Sequence, residues 1–149
     1  MRAVLQRVSE AKVSVENEII GEISNGLLIF LGVSREDSEI EAKSLLNKIV
    51  NLRIFSDADG KMNLSVLDVN GELLIVSQFT LYGDARKGTR PSYIRAGDPE
   101  SANRLYEYFI SEAKTRIGKV ATGKFQAMMD VQLTNDGPVT ILLDTEKTF

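Results

Sequence analysis

The segment Leu27-Leu28-Ile29-Phe30-Leu31-Gly32-Val33 carries no polar side chain, and it follows the turn-forming pair Asn25-Gly26. A run this short and this apolar reads as a strand buried on both faces. A chain holding such a strand must place material above and below it, so a layered fold is required. At 149 residues the chain is long enough to build those layers as one domain spanning residues 1–149. The unbroken part of the run, Leu27–Leu31, is far short of the ~20 residues needed to cross a bilayer. The opening Met1-Arg2-Ala3-Val4-Leu5-Gln6-Arg7 meets charge too early for a signal-peptide core. These features predict a cytosolic protein.

The flanking pattern supplies the partners. Lys12-Val13-Ser14-Val15-Glu16 alternates with the period of a half-buried strand, Asn17 turns, and Glu18–Ser24 returns. Ser38-x-x-Glu41 has the form of a capping box, and Ala42, Leu45, Leu46 and Ile49 then fall on one helical stripe. Asp98 followed by Pro99 opens a second helix, with a stripe of Ala102, Leu105, Phe109 and Ala113 and a stop at Gly118. Leu52–Ser56 reads as a strand ending in the turn Asp57-Ala58-Asp59-Gly60. Leu64–Val69, Asn70-Gly71 and Glu72–Ser77 carry a strong hairpin signal. Met129–Thr134 and Val139–Leu143 read as two strands joined by a turn at Asn135-Asp136-Gly137-Pro138. The expected class is α+β: mostly antiparallel sheet, barrel-like or layered, with two helices packed on one side.

Composition narrows the chemistry. With no histidine and no cysteine, the chain has no imidazole base, thiolate nucleophile, disulfide or Cys/His zinc site. A Ser/His/Asp triad is excluded. Asp57-Ala58-Asp59-Gly60 lacks the twelfth-position glutamate of a calcium loop, which here is Asp68, and no phosphate-binding or dinucleotide glycine motif is present. The net charge of −3 is unevenly spread. Arg86, Lys87, Arg90 and Arg95 occupy a stretch without acids, leaving 14 basic residues against 21 acidic ones, a net −7, elsewhere.

Three segments offer functional side chains. In Ser77-Gln78-Phe79-Thr80-Leu81, alternation predicts Ser77 and Phe79 on one face and Gln78 and Thr80 on the other. That arrangement fits a polar pocket floor, although a strand turning polar as it leaves the core accounts for it more simply. Asn135-Asp136-Gly137-Pro138 reads by itself as a turn; the sharper alternative presents its carbonyls to a ligand. Asp84–Arg95 combines cations, glycine, a hydroxyl and an aromatic as a phosphate-contacting loop does, against the alternative of a solvated loop. Arg7 shares a face with Ala3 and Leu5, which leaves a buried, paired arginine and an exposed edge arginine both open.

Taken together, the chain resembles the D-aminoacyl-tRNA deacylase family along its whole length. The carriers are Met1-Arg2-Ala3-Val4-Leu5-Gln6-Arg7-Val8, Lys61-Met62-Asn63-Leu64-Ser65, Ser77-Gln78-Phe79-Thr80-Leu81-Tyr82 and Asn135-Asp136-Gly137-Pro138-Val139-Thr140, in that order. The resemblance implies hydrolysis of the ester between a D-amino acid, or mischarged glycine, and the terminal adenosine of tRNA. It implies a homodimer without cofactor or metal. Ser77, Gln78, Phe79 and Thr80 would form the pocket for the aminoacylated adenosine, with Met129 near its wall. Gly137 and Pro138 would be a cis-proline element inserted into the partner's active site and braced by Arg7. Its carbonyls would hold a D-residue's amino group and collide with an L side chain. Water attack would be assisted by the ribose 2′-hydroxyl, with Thr80 positioning and the backbone N–H groups near Phe79 and Thr80 stabilising the oxyanion. Arg86, Lys87 and Arg90 would contact tRNA.

The chain departs from the family pattern at Thr89-Arg90, where consecutive arginines are usual. It departs again at Gln126 and Met128, where smaller or more polar residues are expected. Three other readings stand beside this one. They are a relative preferring L-alanine, with a trans Gly–Pro element, a non-enzymatic RNA- or tRNA-binding module using Arg86–Arg95, and a purely structural dimer.

Overall fold

The computed structural model describes residues 1–148. Its organising element is β1, Arg2–Val15, fourteen residues long. One edge of β1 pairs antiparallel with β8, Asp130–Asp144, along nearly its full length. Its other edge is shared by β3, Gly26–Gly32, against residues 2–8 and β2, Glu18–Ile23, against residues 11–15. Glu16 and Asn17 both take positive φ, as the tight turn between β1 and β2 requires.

The sheet continues from β3 to β6, Glu72–Ser77, and then to β7, Val120–Thr122, both paired in parallel. It is therefore mixed and curls almost shut. Gly21 of β2 stands so near β7 that an added Cβ would lie 2.8 Å from the Thr122 carbonyl oxygen. A two-stranded ribbon, β4 (Phe55–Ser56) with β5 (Met62–Leu64), lies apart.

Two cores follow from this curl. Val8, Ala11, Val13, Leu28, Leu74 and Val76 pack together inside it. Ala3, Leu5, Leu27, Ile29, Leu73 and Ile75 pack with the helices, α1 (Glu39–Asn51) and α2 (Pro99–Lys114). The alternating side chains of β3 and β6 thus enter different cores, which is why Leu27–Val33 has no polar position. In β1 the two sets are phased by a bulge: Val8 pairs with Asn135 and Glu10 with Thr134, leaving Ser9 surplus and shifting the alternation. The expected α+β class, with barrel-like sheet and both helices on one side, is what the chain forms. No helix among the described residues is long and apolar enough to cross a membrane.

Both helix starts fall at the expected residues. Ser38 Oγ accepts from Ile40 N at 3.2 Å and Glu41 returns to Ser38 N at 2.8 Å. Asp98 accepts from Ser101 N at 3.0 Å ahead of Pro99. The second helix ends at Lys114, four residues before Gly118.

Four expectations fail. Residues 64–69 and 72–77 do not form a hairpin. Asp68 Oδ2 instead accepts from Ser65 N at 2.8 Å, winding the segment into a turn, and both edges of β6 are occupied by parallel neighbours. The strand beginning at Glu72 ends at Ser77 and gives way to a 3-10 turn, Phe79–Tyr82, so the predicted alternation of Ser77/Phe79 against Gln78/Thr80 does not extend across it. Residues 135–138 do not reverse the chain, because β8 runs straight through them. Gln6 pairs with Thr140 and Val8 with Asn135, so residues 136–139 stand opposite Arg7 alone and are extruded as a large bulge. The Gly137–Pro138 bond is trans rather than the cis bond the resemblance implies. Trans is the lower-energy isomer of an X–Pro bond, and nothing in the bulge forces the other.

Ser38→Ala should lower stability by about 1 kcal/mol in urea unfolding at neutral pH. Its hydrogen bonds hold the Glu41 carboxyl below the ordinary 4.5, so that contribution is present above this value and is lost as pH falls through the lowered folded value. The difference between wild type and variant should therefore shrink below about pH 4.5.

Candidate active site

The parallel pairing of β3 and β6 delivers the first part of the site. After Ser77, Gln78 N still donates to Leu31 O at 2.8 Å, and the chain then tightens into the 3-10 turn. Gln78 Nε2 donates to Thr80 Oγ1. The first turn leaves the N–H groups of Phe79 and Thr80 without a protein acceptor among the described residues.

Ser77, Gln78 and Phe79 line a cleft of about 600 Å³, closed by Ala102 of α2 and by Phe125 and Met129 of the loop before β8. Met129 is folded back beneath this loop, its Sδ 3.4 Å from Lys124 N. Among the described residues, none that lines the cleft is ionisable. Its polar equipment is one hydroxyl, side-chain amides and backbone, so a substrate there meets hydrogen-bonding groups but no side-chain general base. Thr80 stands at the edge rather than in the lining, with its oxygen already engaged by Gln78.

A second constellation forms around Arg7, whose side chain is only 9% exposed. It lies on the helix-side face with Ala3 and Leu5, and the exposed alternative is excluded. Nη1 donates to Ile54 O at 2.5 Å and Nε to Asp136 O at 3.2 Å, while the Asp136 carboxylate stands 3.0 Å from Nε. A guanidinium so enclosed has to be satisfied by pairing and by carbonyls. Asn135 Nδ2 donates to Arg7 O at 2.9 Å and to Val139 O at 3.1 Å, drawing the neck of the bulge together. Gly137 has φ +113°, and a Cβ there would come within 2.3 Å of Arg7 Nη2.

Arg7, Gly137 and Pro138 therefore form one unit, while Ser77, Gln78, Phe79 and Met129 form another. Arg7 pairs with Leu27 and Ser77 with Leu31. Arg7 and Ser77 are thus about 13 Å apart along the strand and about 10 Å apart across the sheet, and the bulge lies one strand further out, on β8.

The cationic loop is third. Asp84 and Ser92 exchange backbone hydrogen bonds of 2.8 and 2.9 Å, closing the loop at its base. Arg86 does not present a free charge: its Nε and Nη2 donate to Asp84 at 2.9 and 2.6 Å. Those bonds hold the Asp84 carboxyl well below the usual carboxylate range. Arg95 is paired with Glu146. Among the described residues, Lys87 and Arg90 have no ion-pair partner. The loop that reads as four cations in sequence thus offers two. Just beyond its base, Tyr93 meets Phe79 of the cleft lining edge-on, with ring centroids 5.1 Å apart.

Sequence reasoning missed Asn135 as the clasp, Ile54 as an Arg7 acceptor, and Ala102 and Phe125 as cleft walls. The clasp sits beside Gly137-Pro138 and was open to discovery as an amide next to a turn. The others are brought in by tertiary packing and have no local signature.

A curled mixed sheet with two helices on one face and a non-ionisable cleft at the end of its parallel strands defines the class. Comparison with known proteins resolves it further. The family model described as D-Tyr-tRNA(Tyr) deacylase matches residues 4–144, and the chain belongs to this family. The D-aminoacyl-tRNA deacylases of Thermosipho africanus and Desulfotalea psychrophila are 60% and 61% identical to it over the full length of both chains. The solved structure of a c-Myc DNA unwinding element binding protein superposes with a TM-score of 0.93 at 42% identity, covering 97% of this chain and 99% of that one. A probable eukaryotic D-amino acid tRNA deacylase shares the fold, with a TM-score of 0.80 at 15% identity, covering 95% of this chain and 97% of the other.

Gly137→Ala should destabilise the protein by about 1–3 kcal/mol, since a non-glycine residue is strained at this φ and its Cβ displaces the Arg7 head. Urea unfolding of the purified variant measures this.

Proposed function

We propose that the chain is a D-aminoacyl-tRNA deacylase, hydrolysing the ester that joins a D-amino acid to the terminal adenosine of tRNA. The observation that carries this reading is a cleft of about 600 Å³ built from Ser77, Gln78, Phe79 and Met129 without one ionisable side chain. The names of the full-length relatives agree with it.

Chemistry in such a cleft draws on groups other than a side-chain base. Water attacks the ester carbonyl, assisted by the substrate's own 2′-hydroxyl. The free N–H groups of Phe79 and Thr80 receive the developing oxyanion. The C–O bond to the ribose then breaks, the 2′-hydroxyl relaying a proton from the attacking water to the departing 3′-oxygen. Free amino acid and tRNA with its 3′-hydroxyl restored are released. Thr80, whose oxygen accepts from Gln78, positions and does not attack.

Stereochemical selection is assigned to the Gly137–Pro138 bulge of a second copy. Its separation from the cleft within one chain supports this, since only a partner can bring the two together. Backbone carbonyls there hold the amino group of a D-residue and clash with an L side chain, and rejection of this kind is as effective as attraction. Glycine, lacking a side chain, passes. Lys87 and Arg90 take the tRNA phosphates.

Two other readings each have one observation in their favour. The trans Gly137–Pro138 bond favours a relative that prefers L-alanine. The likeness to a c-Myc DNA unwinding element binding protein favours a nucleic-acid binder without hydrolysis. One assay separates all three: release of amino acid from D-Tyr-, L-Tyr-, L-Ala- and Gly-tRNA by the pure protein. Loss from D-Tyr- and Gly-tRNA with L-Tyr-tRNA spared is expected. Preferential loss from L-Ala-tRNA, or from none, overturns the proposal.

The charge pairing predicts a second result. Lys87→Ala and Arg90→Ala should each flatten the dependence of log Kd for tRNA on log salt by about one ion released. Arg86→Ala, whose charge Asp84 already neutralises, should flatten it less.

A further inference from the structure

Phe79 is a problem in mechanical terms. It is the first residue of a four-residue 3-10 turn, it lines the cleft, and 57% of its surface is exposed. A benzyl group so exposed is free to change rotamer unless something outside the cleft holds it. Among the described residues, one aromatic ring touches it: Tyr93, edge-on, with centroids 5.1 Å apart and planes at 63°. That is the favoured geometry for two aromatic quadrupoles.

Tyr93, itself 39% exposed, is held through the backbone on either side of it and along one edge of its ring. Before it, Ser92 is locked to Asp84 by paired backbone hydrogen bonds, and after it Ala96 N donates to Tyr93 O at 3.0 Å. Beside it, Gly83 leaves the space the ring uses: a Cβ at Gly83 would lie 3.0 Å from Tyr93 Cε1 and 3.0 Å from Thr80 O. Tyr93 does not line the cleft, and its hydroxyl carries no hydrogen bond among the described residues. Its ring does the work, on Phe79.

We propose that Tyr93 is a positioning residue for the reaction, fixing the Phe79 ring at the cleft lip and joining the cleft rigidly to the cation-bearing loop. The proposal rests on the deacylase reading of the cleft. A phosphate taken by Lys87 or Arg90 then stands in a set relation to the aminoacyl end, because loop base, Tyr93 and Phe79 form one packed train.

The test uses the full chain with two substrates, D-Tyr-tRNA and the minimal ester 3′-O-(D-tyrosyl)adenosine, and the variants Tyr93→Ala, Tyr93→Phe, Phe79→Ala and the double Phe79→Ala/Tyr93→Ala. Tyr93→Ala should lower kcat about three- to tenfold on both substrates, the range expected from one aromatic pair. Tyr93→Phe should restore it, and in the Phe79→Ala background removal of Tyr93 should have no further effect. Wild-type kcat on the adenosine ester for Tyr93→Ala overturns the proposal, as does additive loss in the double variant. Loss in Tyr93→Phe equal to that in Tyr93→Ala also overturns it, by assigning the role to the hydroxyl. If Tyr93→Ala does not fold, Tyr93→Leu takes its place in the same cycle and is read by the same outcomes. A wild-type protein that hydrolyses neither substrate overturns the deacylase reading instead.

Discussion

The strand β1 has two edges and far more hydrogen-bonding length than any single neighbour short of β8 can satisfy. That imbalance sets the architecture. One edge takes β8 along nearly its whole length; the other must be filled by two shorter strands laid end to end, β3 and β2. Because β3 and β2 share that edge, the sheet can grow only from β3, through β6 to β7, and its twist carries β7 round to β2. The curl divides the apolar side chains into an inner core and a helix-side core. The parallel ends of β3 and β6, where the cleft opens, are a product of that division.

What was legible in the sequence was chiefly what is decided locally. Ser38 and Asp98 act on N–H groups within the next turn, so the helix starts could be read directly. The turn at Glu16-Asn17 depends on backbone angles of two adjacent residues. Leu27–Val33 is unambiguous because burial on both faces leaves it no polar position. Elsewhere, distant partners decided the outcome. Asn70-Gly71 carries hairpin chemistry, yet β3 and β7 occupy both edges of β6 and leave none for an antiparallel neighbour. Asn135-Asp136-Gly137-Pro138 carries turn chemistry, yet β1 offers pairing on both sides of it, so the same residues leave the ladder and rejoin it. Turn formers fix where the ladder is interrupted; the length of the partner strand decides whether the chain reverses.

The site shows the same partition. Ser77, Gln78 and Phe79 are contiguous and reach one cleft together, joined there by Met129. The charge of the loop could not be read by counting, since Asp84 lies just outside the acid-free stretch and folds back on Arg86. An electrostatic argument from sequence stands or falls on such pairings, which a tally of signs over a window does not contain. The missing histidine accords with the cleft, where no ionisable side chain lines the wall among the described residues.

The Asp136-Gly137-Pro138-Val139 bulge has a consequence for binding thermodynamics. Asn135 clasps its neck and Arg7 grips its first carbonyl, so the protrusion has already lost its conformational freedom when the domain folds. Insertion of such a segment into any complementary recess orders nothing further on its own side. The entropic penalty that makes short loops weak ligands is largely absent, and a contact made through a few backbone atoms becomes sufficient.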